Sequence, residues 1–377
     1  MLNQTKIRHH LYRMVYITAG AFRKTEKKAV FESFHGKSYS DNPRAISEKL
    51  HELYPDYQII WGFQDPERIE YPDYVKAYST SSLKYKTERE TAFAFIRNEA
   101  MSEDLHKRKN QIYIQTWHGD RGIKRILYDA WEGGSRPSKV MDSEITDLFV
   151  VGSDYAEKRI KSAFRYLGLT MKTGCPRNDC LVHPGDDQAV RQQLGLPADC
   201  RILLYAPTFR KGQKVSGTNV DLEQVLGQLN KKGEKWICLA RAHPKALGIR
   251  LDQHENIIDA SRYPDMSDLM MIADMLITDY SSSAGDFILR MKPVILAQFD
   301  RDEYLKNSRE FYADCREIGY WVAENQDELN RYIDQMTGES AAENCRRIME
   351  YYGTNETGHS SEDVCRWIDE KYHQMFQ

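Results

Sequence analysis

The feature that most constrains this chain is the repeated alternation of short apolar runs with helical patterns. Runs of strand length recur at residues 29–34, 57–63, 74–78, 111–116, 145–151, 201–206, 236–240, 256–259, 275–278 and 293–296. Strands that alternate with helices at this spacing predict a parallel, doubly wound α/β sheet. Because 377 residues exceed the size at which a single core stops growing, we expect two such domains.

The pattern predicts four segments. A basic amphipathic helix occupies residues 1–28 as part of the N-terminal domain, and a Rossmann-like domain follows at 29–174. A second Rossmann-like domain covers 175–352, and a closing helix covers 353–377. The turn-rich stretch 173–179 marks the boundary between the two domains, and residues 84–98 are predicted to form one helix of the first.

The first 28 residues carry seven basic side chains against one acid, Glu26, and their apolar residues recur every three or four positions. The basic residues are Lys6, Arg8, Arg13, Arg23, Lys24, Lys27 and Lys28. Such a helix is typical of a segment that lies on an anionic membrane surface. A helix packed on the domain with solvated lysines fits the pattern equally well.

A histidine stands where a buried strand ends. Residues 111–119 read Gln-Ile-Tyr-Ile-Gln-Thr-Trp-His-Gly, so His118 follows the strand in a turn. Ligands of open α/β sheets bind outside the carboxyl ends of the strands. His118 is therefore the candidate general base, because its ordinary pKa lies near neutral pH. Asp120 could orient it, although a solvated loop aspartate is equally compatible with the sequence.

A second strand end has the composition of a phosphate site. Ser281, Ser282 and Ser283 follow the strand at 275–278 and open a helix, where hydroxyls and free backbone N–H groups favour an anion. Ordinary N-capping would explain one serine. Arg210 and His243 each follow a strand of the same predicted sheet, so both can face this loop with groups that suit phosphate oxygens.

Composition and spacing exclude several classes of protein. A net charge of −3 argues against a nucleic-acid binder, and seven scattered cysteines fit reduced thiols better than a disulfide framework. No apolar run has the length of a membrane span, and we expect no signal peptide. No metal-ligand spacing is present, and a Gly-Lys-Ser triplet at 36–38 lacks the earlier glycine of a P-loop. We expect an intracellular protein with neither metal nor cofactor.

Six short motifs, taken together and in order, resemble those of the CDP-glycerol glycerophosphotransferases of bacterial teichoic acid and capsule synthesis. They are Gly-Lys-Ser-Tyr-Ser-Asp-Asn-Pro at 36–43, Gln-Thr-Trp-His-Gly at 115–119, Pro-Arg-Asn-Asp at 176–179, Tyr-Ala-Pro-Thr-Phe-Arg at 205–210, His-Pro at 243–244 and Thr-Asp-Tyr-Ser-Ser at 278–282. The resemblance covers most of the chain from about residue 30. It implies a GT-B fold, in which two Rossmann-like domains face each other across a cleft and a C-terminal helix packs back.

The resemblance also implies roles for individual residues. His118 would be the base, and Arg210 and His243 would complete the catalytic set. The donor phosphates would be held by Thr278, Asp279, Ser281, Ser282, Ser283, Arg177, Pro207 and Thr208. The acceptor side would comprise Trp117, Gly119, Asp120, Lys37 and Ser38. The chain departs from the family's usual Thr-Pro-Leu-Lys after Trp-His-Gly, having Asp-Arg-Gly-Ile-Lys at 120–124, which leaves the acceptor open.

The implied reaction is attack by an acceptor hydroxyl on the phosphorus that bears the polyol of CDP-glycerol or a related CDP-polyol, with CMP leaving. The acceptor would be a lipid-linked glycan or a teichoic acid, and the enzyme would lie on the cytoplasmic face of an anionic membrane. Three other functions remain open: a GT-B glycosyltransferase that uses a nucleotide sugar, a silent assembly subunit, and a nucleotide-sugar epimerase.

Overall fold

The computed structural model describes residues 25–100, 107–130, 142–208, 220–241, 254–307 and 310–376. Residues 1–24 of the predicted N-terminal helix, together with Arg210 and His243, lie outside these ranges. Residues 26–28, which the sequence assigned to that helix, instead begin a strand. Lys28 pairs in register with Gln58 of the neighbouring strand, and its buried ammonium group lies 2.5 Å from a carboxylate oxygen of Glu88.

The first sheet has seven parallel strands in the order β3-β2-β1-β4-β5-β6-β7. They are β1 (Glu26–Glu32), β2 (Gln58–Phe63), β3 (Lys76–Ser79), β4 (Ala92–Arg97), β5 (Ile112–Gln115), β6 (Leu148–Val150) and β7 (Thr170–Met171). The chain order reverses between β1 and β4, and a reversal of this kind opens a crevice at the carboxyl ends of the strands. Strand β5, which leads to the Trp-His-Gly turn, lies next to that crevice.

The second sheet has six parallel strands in the order β10-β9-β8-β11-β12-β13. They are β8 (Arg201–Tyr205), β9 (Trp236–Ala240), β10 (Ile257–Asp259), β11 (Met275–Thr278), β12 (Val294–Ala297) and β13 (Trp321–Ala323). Here the order reverses between β8 and β11, so the serine loop after β11 lies at the crevice of this sheet. The two parallel sheets confirm the predicted α/β fold of GT-B type.

Helices cover both sheets. They are α1 (Asp41–Leu53), α2 (Leu83–Thr91), α3 (Asp142–Ile145), α4 (Asp154–Ala163), α5 (Asp179–Val182), α6 (Gln188–Gln193), α7 (Leu222–Asn230), α8 (Met266–Ile272), α9 (Ser283–Phe287), α10 (Arg301–Asn307), α11 (Cys315–Ile318), α12 (Gln326–Gln335), α13 (Gly338–Tyr352) and α14 (Ser360–Phe376). Short 3-10 turns occur at Pro66–Arg68, Leu127–Ala130, Pro176–Asn178 and Ile288–Arg290. Among the described residues, no helix is long and apolar enough to span a membrane.

The helix predicted over residues 84–98 is wrong in its second half. Helix α2 ends at Thr91, and the six residues of β4 follow immediately between β1 and β5. All six are buried, since both faces of this central strand are covered. Five of the six residues are apolar, and such a short apolar run has no alternation that would distinguish a buried strand from a buried helix.

The last helix returns to the first domain. Val364, Cys365 and Ile368 of α14 are fully buried in the core formed by β1, β2, β4 and β5 together with α1. The chain therefore crosses from the first sheet to the second, and α14 returns to the first. This confirms the C-terminal helix that the resemblance implied would pack back on the first domain.

Candidate functional site

His118 is placed by a strained turn at the end of β5. The preceding residue, Trp117, has a φ of 49°, in the left-handed region that is unfavourable for a bulky side chain. Two hydrogen bonds hold this conformation: the Trp117 N–H donates to Oε1 of Gln115 (2.8 Å), and Nδ2 of Asn42 donates to the Trp117 carbonyl (2.9 Å). The turn directs the imidazole away from the sheet and toward the crevice.

A backbone carbonyl fixes the protonation of the imidazole. Nδ1 of His118 lies 2.7 Å from the carbonyl oxygen of Asn98, just past β4. Because a carbonyl can only accept, Nδ1 carries the proton and Nε2 keeps its lone pair. Burial lowers the pKa of His118 below its ordinary 6.5, and the bond to Asn98 opposes this only in part. The imidazole is therefore neutral at neutral pH, as a general base must be.

Asp120 does not orient His118, and it is not solvated either. Its carboxylate is buried and accepts hydrogen bonds from the Gly152 N–H (2.6 Å), the Ser153 hydroxyl (2.6 Å) and Nη1 of Arg121 (3.3 Å). Both sequence interpretations of Asp120 are thus wrong, because the loop 119–124 turns inward. The histidine is oriented instead by the carbonyl of Asn98, which no side-chain pattern could reveal.

Arg121, which the sequence analysis did not single out, is the centre of a buried ionic network between the domains. It donates to the Gly285 carbonyl (2.5 Å) and to Asp286 (2.9 Å) of α9, and lies 2.7 Å from an oxygen of Glu356. Asp286 also accepts a hydrogen bond from Nη2 of Arg177 (2.9 Å). Burial alone would raise the pKa of Asp286, but Arg177 and Arg121 hold it below its usual range.

The serine loop follows β11 and faces His118. The Ser283 hydroxyl donates to that of Ser281 (2.9 Å), and α9 begins at Ser283. Thr278 and Asp279 are buried, and their hydrogen bonds hold the loop against the end of β8. Thr278 donates to the Ala206 carbonyl (2.6 Å), whereas Asp279 accepts from the backbone N–H and the hydroxyl of Thr208 (2.8 and 2.7 Å).

Two cavities meet at His118. The larger cavity, about 450 Å³, is lined by residues of the Trp-His-Gly turn, the loop 120–127, α4 and Thr208. The smaller cavity, about 210 Å³, lies between the domains, against residues after β1, the start of α8 and α9. His118, Ser281 and Ser282 line both cavities, so one imidazole and two hydroxyls border the two spaces at once.

Two arginines line the smaller cavity. Arg177 is buried, and its Nη1 atom has no hydrogen-bond partner among the described residues, the nearest carboxylate oxygen being that of Asp41 at 3.5 Å. Arg241, at the end of β9, donates to the carbonyls of Tyr263 and Pro264 (3.2 and 3.3 Å). Arg241 was missed from the sequence, although its place after a strand of the second sheet was a usable signal.

The structure does not bring all the predicted residues to the cavities. Trp117, Gly119 and Asp120 line the larger one, while Ser281, Ser282 and Ser283 line the smaller one. Lys37 is exposed and Ser38 hydrogen-bonds to Ser40 (2.7 Å); neither lines a described cavity, and nor does the buried Pro207. Within the described ranges, no three His, Cys, Asp or Glu side chains cluster as metal ligands.

Sequence comparisons identify relatives of the whole chain. Residues 11–370 match the family model for CDP-glycerol:poly(glycerophosphate) glycerophosphotransferases. The chain is 31% identical to a teichoic acid glycerol-phosphate transferase of Staphylococcus aureus (strain NCTC 8325 / PS 47), over 94% of this chain and 96% of that protein. It is 34% identical to a teichoic acid poly(glycerol phosphate) polymerase of Staphylococcus epidermidis over 77% of this chain. The match spans only 43% of that polymerase.

Comparison with solved structures agrees with the sequence comparison. The wall teichoic acid polymerase TagF superposes with a TM-score of 0.86 at 28% identity, covering all of both chains; that crystal was a His-to-Asn variant soaked with CDPG. A complex of Staphylococcus aureus MnaA with UDP, at 12% identity and a TM-score of 0.53 over 93% of this chain and 98% of that one, shares the fold alone. The chain belongs to the CDP-glycerol:poly(glycerophosphate) glycerophosphotransferase family, as its motifs predicted.

Proposed function

We propose that this protein transfers glycerol phosphate from CDP-glycerol to a hydroxyl of a teichoic-acid-type acceptor and releases CMP. The observation that carries the proposal is the place of His118, a neutral imidazole at the junction of two cavities that also share Ser281 and Ser282. A transferase needs a base that reaches the acceptor hydroxyl while donor phosphate lies within reach of the attacking oxygen.

The smaller cavity suits the donor. Arg177 and Arg241 supply positive charge, and Ser281, Ser282 and Ser283 supply hydroxyl donors for phosphate oxygens. Thr278, Asp279 and Thr208 would support this wall by fixing the loop, and Pro207 by packing beneath it. Arg210 and His243, which lie outside the described residues, are assigned to the same donor group on the family motifs.

The larger cavity suits the acceptor. In the proposed step the acceptor oxygen attacks the phosphorus that bears glycerol, and Nε2 of His118 takes the proton of the acceptor hydroxyl. The bond from that phosphorus to the bridging oxygen breaks, and CMP leaves with the electron pair. Trp117, Gly119 and Asp120 shape the acceptor wall, whereas the acceptor-side roles of Lys37 and Ser38 are assigned on the family motif alone, since neither residue lines this cavity.

The test is CMP release from CDP-glycerol with a soluble glycerol-phosphate acceptor, compared with UDP release from UDP-sugars. We expect CMP alone, and the variant H118N should lower kcat by about 10²–10⁴-fold because it removes the base. The matched control is H183N, since His183 is exposed and lines neither cavity. Release of UDP with sugar transfer, or unchanged kcat in H118N, would reject the proposal.

We also propose that residues 1–28 attach the enzyme to an anionic membrane, where a lipid-linked acceptor would be presented. Five basic residues in 1–24, where the sequence has no acid, support this, because each basic residue near an anionic surface contributes about 1 kcal/mol. Lys27 and Lys28 do not count toward this charge, since they lie in β1 and pair with Asp56 and Glu88. We expect the full chain to sediment with anionic vesicles and not with neutral ones. Equal sedimentation of a chain lacking residues 1–24 would contradict the assignment.

A further inference from the structure

The larger cavity contains a cation that the proposed step does not use. Arg159 lies on α4 and lines the cavity together with Ala156 and Ile160 of the same helix. Its Nη1 atom donates to the Gly122 carbonyl (2.9 Å), and the Tyr155 hydroxyl donates to the same oxygen (3.3 Å). Arg159 is thus held between its helix and the loop that follows the Trp-His-Gly turn.

No carboxylate among the described residues forms an ion pair with Arg159. Asp120, the one carboxylate that lines the larger cavity, already accepts from Gly152, Ser153 and Arg121. Asp129, on the 3-10 turn beside the cavity, accepts from the hydroxyls of Tyr312 (2.6 Å) and Ser162 (2.7 Å). Among the described residues, the guanidinium charge of Arg159 therefore has no carboxylate partner.

Two aromatic rings contact the guanidinium. Its central carbon lies 2.9 Å from the ring centroid of Tyr155 and 3.6 Å from that of Tyr312, which also lines the cavity. A guanidinium has five N–H donors; that of Arg159 donates to the Gly122 carbonyl and is also hydrogen-bonded to the Tyr155 side chain, which leaves further N–H groups for a ligand. Burial lowers the pKa of Arg159, so its charge is partly desolvated, and the part of the chain that the structure describes offers no acid that pairs with it.

We propose that Arg159 is the specificity-determining residue of this cavity and binds the phosphate that follows the attacking hydroxyl of the poly(glycerophosphate) acceptor for which the family is named. This rests on the proposed function and assigns the residue that recognises the acceptor at the same site. A planar guanidinium held between two aromatic rings, with N–H groups beyond the one that binds Gly122, matches two phosphate oxygens. Lys124, which lines the same cavity, adds positive charge on that side.

The test compares two soluble acceptors with CDP-glycerol as the donor. One ends in glycerol joined through a phosphodiester, and the other carries the neutral methylphosphonate in its place. The wild type should show a kcat/KM about 10- to 100-fold higher for the charged acceptor, as expected for one charge-assisted pair. R159Q should lose that preference through a higher acceptor KM, and R159K should keep part of it.

The matched control is K158Q, because Lys158 is the neighbouring residue of α4 but is exposed and lines neither cavity. It should keep the full preference. An equal loss on both acceptors in R159Q, or a higher KM for the donor, would overturn the inference. Transfer by the wild type without a preference would overturn it while leaving the proposed function intact, whereas no transfer to either acceptor would overturn both.

Discussion

At the scale of single residues, the site depends on how His118 is kept neutral and oriented. Its position at a strand end was predictable, because strand ends form the crevice of an α/β sheet. Its orienting partner was not, since a backbone carbonyl leaves no trace in the sequence. The carbonyl of Asn98 reaches His118 only because β4 and β5 are neighbours in the sheet.

The pH dependence of the reaction follows from that environment. Burial lowers the pKa of His118 below 6.5, so the base loses its proton at a lower pH than an ordinary histidine does. The acidic limb of kcat/KM, which reports the free enzyme, should have its midpoint below pH 6.5. A profile of initial CMP release between about pH 4.5 and 8 measures this midpoint.

The residual activity of H118N provides the control for this limb. A limb that belongs to His118 disappears in the variant, while one that belongs to a donor phosphate persists at the same pH. A midpoint above 6.5 in the wild type would mean that the cavity stabilises the protonated imidazole of His118. That result would contradict the lowering of its pKa by burial.

At the scale of elements, the sequence predicted best where a segment's pattern is local. Strand β11 and the serine loop after it lie where the apolar run 275–278 indicated. The prediction for β4 failed, because its two faces are buried by separate helices, α2 on one side and α1 and α14 on the other. Helix α14 shows a further limit: its apolar face was visible, but its partner α1 lies about 320 residues earlier in the chain.

The same limit explains Arg121. As a charged residue in a glycine-containing loop, it has the sequence features of a solvated side chain. In the structure it is fully buried, since Asp286 and Glu356, both distant in sequence, supply its counter-charges. A Cβ atom on Gly285 would lie 2.5 Å from the Cβ of Arg121, so a glycine at this position is what allows the two backbones to approach.

At the scale of the whole molecule, the buried network joins three parts of the chain that would otherwise be separate. Arg121 belongs to the first domain, Asp286 to the second, and Glu356 to the segment that leads back into α14. Glu356 also accepts from Asn178 (2.9 Å) and from the backbone N–H of Cys175 (2.9 Å), which lie at the crossing between the domains. The network therefore links the loop that follows His118 to the helix that follows the serine loop.

Removing the central cation should consequently weaken the whole protein. We expect R121M to lower the free energy of unfolding by about 3–5 kcal/mol, because it leaves buried carboxylates without their partner. Urea denaturation followed by circular dichroism measures this. The matched control is R125M: Arg125 pairs with Glu310 at 2.7 Å, but both side chains are about half exposed, so its loss should cost only about 0–1 kcal/mol. Equal effects of the two substitutions would show that the buried network does not hold the domains together.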